Sequence, residues 1–217
     1  MKKLIACLLF VMEILHPVTA QNKFYNFSLI LGMSPKQTPV QSPLIMNRQD
    51  PVNEFLFNLD QVEKNYTIGL RTNIRFSQPF FGTLGLEYNR QLQHYSMLFT
   101  HMKPEASHEL MVSNDKITLP VGVGVRLHKI EITSGLQMSY NIHSEMKQDL
   151  PMGIEMKDPR IEMGWYTGVG MALGRTSFGV RYQSSMNRYG DNLVMHQKPM
   201  GLASVPGNVR FTVAFSF

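Results

Sequence analysis

Large apolar residues alternate with polar or small residues in eight separate stretches of this chain. The clearest stretch is ITLPVGVGVRL, residues 117–127, where every second residue from Ile117 to Leu127 is Ile, Leu or Val. A period of two places successive side chains on opposite faces of a β-strand. The pattern therefore predicts an all-β chain with strands at 25–32, 66–76, 83–92, 117–127, 130–140, 163–173, 176–183 and 208–217.

The segments between these predicted strands alternate in length. Four are long, at about 33–65, 93–116, 141–162 and 184–207, and three are short, centred on 77–80, 128–129 and 174–175. If consecutive strands pair, all the long segments lie at one end of the sheet and both termini lie at the other. Short turns on one side and long loops on the other are typical of outer-membrane barrels.

The composition of the strand face opposite the apolar one distinguishes a membrane barrel from a soluble one. It is rich in glycine, and it holds seven charged residues: Arg71, Arg75, Glu87, Arg126, Glu131, Arg181 and Arg210. A soluble lipocalin-like barrel or β-sandwich would turn its apolar face inward. The interior of an eight-stranded barrel is only just wide enough for side chains, so glycines beside long charged residues fit an inward polar face.

Aromatic residues cluster near both ends of the predicted strands, and such residues are enriched at the two membrane–water interfaces of barrel proteins. Those expected at the long-loop side are Tyr66, Tyr95, Tyr140, Trp165 and Tyr182, and those at the short-turn side are Tyr25, Phe76, Phe81 and Phe217. We therefore predict an eight-stranded antiparallel up-and-down transmembrane β-barrel whose lumen is filled by polar side chains. Arg75 and Arg210 are expected near the ends of that lumen, with the other charged residues nearer its middle.

The first twenty residues, MKKLIACLLFVMEILHPVTA, combine two lysines, an apolar stretch and small residues before Gln21. This layout predicts a secretory signal peptide at 1–20 and a barrel domain at 21–217. The single cysteine, Cys7, lies in the segment to be removed. The formal charge of +5 is spread along the chain without a Lys/Arg run, which gives nucleic-acid binding little support.

The last ten residues, NVRFTVAFSF, alternate up to the terminal carboxylate, and Phe215 and Phe217 resemble the signal read by the outer-membrane assembly machinery of Gram-negative bacteria. Together with the strands ITLPVGVGVRL and IEITSGLQMSYN, this ending is similar to the small outer-membrane β-barrel family of Bacteroidetes, called PorT-like. The resemblance implies an outer-membrane location and contacts with membrane lipids and the assembly machinery. The name-giving members belong to a protein-secretion apparatus, but no residue motif carries that role to this chain.

Candidate chemistry is sparse. His94 and Ser96 resemble the His-x-Ser of outer-membrane lipid A deacylases, with Glu105 as a possible orienting acid. Histidines also recur at His94, His101 and His108, with His143 and His196 in other predicted loops. Without a close His pair or a cysteine they lack a ligand set for a soft metal, so we expect no metal site and no cofactor.

Three functions stay open at this point. The leading hypothesis is a non-catalytic integral barrel that anchors or presents long outer loops for envelope structure or partner binding. The first alternative is a component of a protein-secretion or uptake assembly, and the second is a lipid A deacylase.

Overall fold

The computed structural model describes residues 25–38, 44–46, 55–99, 107–146, 154–156, 161–186, 193–195, 198–199 and 207–217. Within these ranges the strands are β1 (Tyr25–Ser34), β2 (Leu44–Met46), β3 (Phe55–Val62), β4 (Asn65–Ser77), β5 (Phe80–Phe99), β6 (Ser107–Leu127), β7 (Ile130–Met146), β8 (Ile154–Met156), β9 (Ile161–Leu173), β10 (Thr176–Ser185), β11 (Leu193–Met195), β12 (Lys198–Pro199) and β13 (Asn208–Ser216). No helix in these ranges is long and apolar enough to cross a membrane. The prediction of an all-β chain is confirmed.

Eight of the strands close into a ring. Their order around it is β1, β4, β5, β6, β7, β9, β10 and β13, and each is antiparallel to the next. The ring closes because β13 pairs with β1, for example Val213 with Leu31. The ring strands follow one another in chain order, so the predicted up-and-down order is confirmed. Seven of the eight predicted stretches fall within a ring strand, and the eighth, 208–217, extends one residue beyond β13.

Three tight turns lie at one end of the ring, here called the turn rim. They are formed by Gln78–Pro79, His128–Lys129 and Gly174–Arg175. His128 (φ 58°) and Gly174 (φ 64°) adopt the left-handed backbone region, which lets the chain reverse within two residues. The first and last ring strands also meet here, where the N–H of Phe217 donates to the carbonyl of Phe27 at 3.1 Å.

Several strands continue beyond the opposite rim. β2, β3 and the ends of β5, β6 and β7 form a sheet that we call the extension: 44–46, 55–62, 91–99, 107–115 and 141–146. β3 follows the same edge of β5 that β4 occupies, because Val62 pairs with Gln93 and Tyr66 pairs with Arg90. Apart from 91–92, which belong to the predicted strand 83–92, the sequence predicted loops in these segments, and for them the prediction was wrong.

The two faces of the sheet exchange character between the ring and the extension. In the ring, apolar side chains point outward and stay exposed, such as Val121 at 54%, while Glu87 on the inner face is 1% exposed. In the extension the buried apolar residues lie on the inner face: Phe57, Leu59, Tyr95, Leu110 and Val112. The outward apolar pattern stops where this exchange occurs, which is why the extension was predicted as loop.

The predicted aromatic belts are present in part. Tyr66, Tyr140, Trp165 and Tyr182 are exposed on the strand ends nearest the extension, and Tyr25 and Phe76 are exposed near the turn rim. Tyr95 and Phe81 are instead buried. Both occupy odd positions on β5, the inward set that includes Glu87, so placing them on the outer surface was wrong.

Candidate functional site

The interior of the ring is organised around one buried carboxylate. Glu87, on β5, accepts a hydrogen bond from Nη1 of Arg181 on β10 at 2.9 Å and another from Nη1 of Arg210 on β13 at 2.6 Å. All three side chains are at least 93% buried. An acid held by two guanidinium groups is a charge-assisted arrangement that joins opposite walls of the ring.

Hydrogen bonds continue from this acid across neighbouring strands. The second guanidinium nitrogen of Arg210 donates to Oδ1 of Asn89 at 2.9 Å, and that oxygen also accepts from the Thr67 hydroxyl at 2.6 Å. The Asn89 amide donates to Thr118 at 2.9 Å, and the Thr118 hydroxyl lies 2.9 Å from that of Ser139. The network therefore links five strands of the ring, β13, β4, β5, β6 and β7, and crosses the interior past β1.

Tyr166 fills the interior beside this network. Its ring lies under the guanidinium of Arg181, with 4.5 Å between Cζ and the ring centroid, and its hydroxyl lies 3.2 Å from that of Thr83. Gly122 and Gly135 face the Tyr166 hydroxyl, and a Cβ at Gly135 would lie 2.9 Å from it. These two glycines provide the space that the inward tyrosine requires.

A second ion pair lies nearer the turn rim. Arg126 on β6 donates to the carboxylate of Glu131 on β7, directly across the turn at His128–Lys129. The same guanidinium sits over the ring of Phe81 at 5.6 Å from its centroid. The Phe81 ring occupies the space left by Gly124, where a Cβ would lie within 2.8 Å of three carbons of that ring.

The structure places the predicted charged residues at different depths. Arg71, Glu87, Arg126, Glu131, Arg181 and Arg210 have at least part of their side chains in the ring interior. Arg210 lies deeper than expected, because it binds Glu87 rather than sitting near an end. Arg75 is exposed at the turn rim, beside the pocket lined by Gln78. Arg71 forms no ion pair or hydrogen bond with another described residue, and its buried Nε has no partner.

His94 and Ser96 lie on the outer face of the extension, on β5. Nε2 of His94 is 3.6 Å from Oε1 of Glu63, beyond hydrogen-bond distance. The Ser96 hydroxyl donates to Oδ1 of Asp60 at 2.9 Å, so it is directed to this acid rather than to the imidazole. Glu105 lies outside the described residues.

The remaining predicted residues show no further site. His143 is exposed, while His101 and His196 lie outside the described ranges. Within those ranges no three His, Cys, Asp or Glu side chains are grouped closely enough to hold a metal ion. Phe215 points outward at 44% exposed and pairs with Leu29 and Thr176, and Phe217 is half-buried at the turn rim. The predicted signal peptide, 1–20, also falls outside the described ranges.

No family model matches this sequence, and no curated protein matches it.

The interior arrangement is suited to bracing the ring. Buried ion pairs and hydrogen-bonded amides connect strands that are far apart in the chain and occupy the space between the walls. The sequence did not lead us to predict roles for Asn89, Thr118 and Tyr166. The signal that could have identified them is their position on the inward face of β5, β6 and β9. Their partners were not predictable without the register around the ring.

Proposed function

We propose that this chain is an eight-stranded transmembrane β-barrel of a Gram-negative outer membrane. It has no catalytic activity, and it holds the extension and outer loops at the cell surface for envelope structure or partner binding. In this proposal residues 1–20 are a cleaved signal peptide, the extension faces outward, and the turn rim faces the periplasm. The C-terminal strand, with Phe215 and Phe217, is the part recognised by the assembly machinery.

The observation that supports membrane insertion most strongly is the exchange of faces between ring and extension. Around the ring, exposed apolar side chains cover the outer surface, and charged groups are buried inside. A soluble protein does not expose so large a continuous apolar surface. In β6 the outward apolar residues run from Ile117 to Leu127, matching the roughly 9–11 residues that a tilted strand needs to cross a bilayer.

The extension lacks this apolar outer surface. Its outer face presents Asn58, Asp60, His94, Ser96 and Glu109, with scattered apolar residues such as Met111 and Ile142, while its largest apolar side chains, among them Phe57, Leu59 and Leu110, are buried on the other face. This is the ordinary arrangement of a sheet exposed to water on one side. The change along β5 and β6 from exposed apolar to exposed polar residues fits the upper boundary of a membrane.

A single outward substitution tests insertion. Val121→Arg places a charge at the middle of the apolar surface of β6, and we expect it to destabilise the protein folded in phospholipid vesicles by about 2–4 kcal/mol. On a water-exposed surface a comparable change costs within about 0.5 kcal/mol. The measurement is the free energy of unfolding from denaturant titration in vesicles.

The matched control is Met111→Arg, on the same strand and the same outward face but within the extension. We expect this change to cost much less than Val121→Arg. Equal costs for the two variants, or a mature protein that stays soluble and folded without detergent, would exclude the transmembrane barrel.

The extension also favours one alternative role, as part of a protein-secretion or uptake assembly. Residues 141–146 of β7 pair with β6 on one side, and the register with β9 stops at Tyr140. Within the described ranges this leaves a strand edge above the ring, and strand edges are common docking sites for extended segments of other proteins. Co-purification from detergent-solubilised membranes, with and without a Pro substitution at Ile142, tests this role.

A further inference from the structure

The interior of the ring contains more positive than negative charge. Four arginines contribute to it, Arg71, Arg126, Arg181 and Arg210, against Glu87 and Glu131, while Lys116 and Glu162 pair with each other and add no net charge. Arg181 and Arg210 share Glu87, and Arg126 binds Glu131. Arg71 is left without a carboxylate within ion-pair distance among the described residues. Glu131 and Glu87 act on Arg71 only from beyond ion-pair distance. A buried cation without a directly paired counter-charge is costly, so an anion beside it would stabilise it.

A polar cavity of about 60 Å³ lies beside Arg71. Its lining includes Arg71, Arg126, Glu131 and Asn73 together with the hydroxyl-bearing Ser28 and Ser177. Two cations and one anion thus face the same space. Since a water molecule needs only about 10–15 Å³ by this measure, the cavity has room for a small polyatomic ion.

Several polar atoms around the cavity have no partner. Nε of Arg71, Nε of Arg126 and Oδ1 of Asn73 are each buried without a hydrogen bond, and of these the two Nε–H groups are donors that an oxyanion satisfies, whereas Oδ1 of Asn73 is an acceptor. Buried polar atoms are normally satisfied, so a cluster of unsatisfied ones beside a cavity indicates a missing ligand. A guanidinium presents several N–H donors in a plane, which suits an oxyanion with more than one acceptor oxygen.

The cavity has a route to solvent at the turn rim. A larger pocket of about 320 Å³ at that rim shares Asn26, Asn73 and Arg126 with the inner cavity. Arg75 also lines this outer pocket. An anion approaching from the turn rim therefore meets positive charge first at Arg75 and Arg126 and then at Arg71.

We propose that this cavity binds a tetrahedral oxyanion of the phosphate or sulfate type, taken up from solution at the turn rim. Arg71 is the principal ligand of the anion. Arg126 donates a further hydrogen bond to it while retaining its ion pair with Glu131, and the serine hydroxyls donate to the remaining oxygens. The site is distinct from the Glu87 network, because Gly69 pairs with Glu87 while Arg71 lies two residues closer to the turn rim. It does not depend on which membrane, if any, surrounds the ring.

The test is a titration of the folded full-length mature chain in detergent with inorganic phosphate, at constant ionic strength maintained with chloride. We expect phosphate to raise the unfolding temperature in a saturable way, followed by circular dichroism. Arg71→Gln should lose the saturable increase. Arg90→Gln, which removes the same charge from a side chain 64% exposed, should retain it.

If Arg71→Gln does not fold, a second variant tests whether the cavity binds an anion. Asn73→Asp places a carboxylate in the cavity as an internal counter-ion, so we expect a higher unfolding temperature without phosphate and no further rise with it. An unresponsive wild-type protein, or an undiminished phosphate response in either cavity variant, would overturn the proposal. So would stabilisation by detergent-dispersed phosphatidylglycerol but not by free phosphate, because a lipid phosphate would indicate a site on the outer surface.

Discussion

Glu87 is the residue on which the interior depends most. Its carboxylate is 1% exposed and holds two arginines from the opposite wall. Glu87→Gln keeps the shape of the side chain but leaves Arg181 and Arg210 without a counter-charge. Because removing one member of a buried pair costs about 3–5 kcal/mol, we expect a loss of that size in the free energy of unfolding.

Glu109→Gln is the matched control for this change. It removes the same charge from an exposed position on the extension, and there we expect a cost within about 0.5 kcal/mol. Denaturant titration of both variants in detergent gives the comparison. Similar losses in the two variants would mean that the Glu87 carboxylate does not carry the interior network.

At the scale of the element, β5 and β6 fit together through a glycine opposite an aromatic ring. Phe81 pairs with Gly124, and its ring occupies the place of the absent side chain. Gly124→Ala should therefore destabilise the protein by about 1–3 kcal/mol, as overpacking does. In a Phe81→Ala background the same change should cost far less, because the ring that it meets is gone.

The double-mutant cycle measures this coupling between the strands. Unfolding free energies of the two single variants, the double variant and the parent are sufficient. Additive effects of Gly124→Ala and Phe81→Ala would show that the glycine is not required by the ring of Phe81.

Some of the strands could be predicted from the sequence and others could not. Alternation located the eight ring strands, because exposed apolar residues face outward at every second position. It missed β3 and the upper part of β6, because apolar residues occur on both faces there: Leu56 stands beside Phe57, and Met111 stands between Leu110 and Val112. It also could not pair Glu87 with Arg210, since these residues lie 123 positions apart and meet only after the ring closes.

For the whole molecule, the proposed orientation places exposed residues of the extension outside the cell and exposed residues of the turn rim in the periplasm. Glu109 lies on the extension and Lys129 lies in a turn at the turn rim, and both are exposed. The single cysteine, Cys7, falls in the predicted signal peptide, so cysteines introduced at these positions would be the only thiols of the mature chain. We expect Glu109→Cys to react with a membrane-impermeant thiol reagent on intact cells.

Lys129→Cys should react only after the outer membrane is permeabilised. The measurement is the labelled fraction of the protein before and after permeabilisation. Labelling of Lys129→Cys alone on intact cells would reverse the assigned sides, and equal labelling of both would contradict a spanning orientation.

The continuity of β5 and β6 from the turn rim into the extension also determines how the molecule responds to tension. Their backbone register runs from Phe80 with Val125 to Leu98 with Ser107. A force pulling the extension away from the ring acts along these strands, so it loads in shear the many hydrogen bonds that hold β5 to β4 and β7 to β9 within the ring, instead of opening them one at a time. A load attached to the extension is therefore transmitted directly into the ring along these continuous strands.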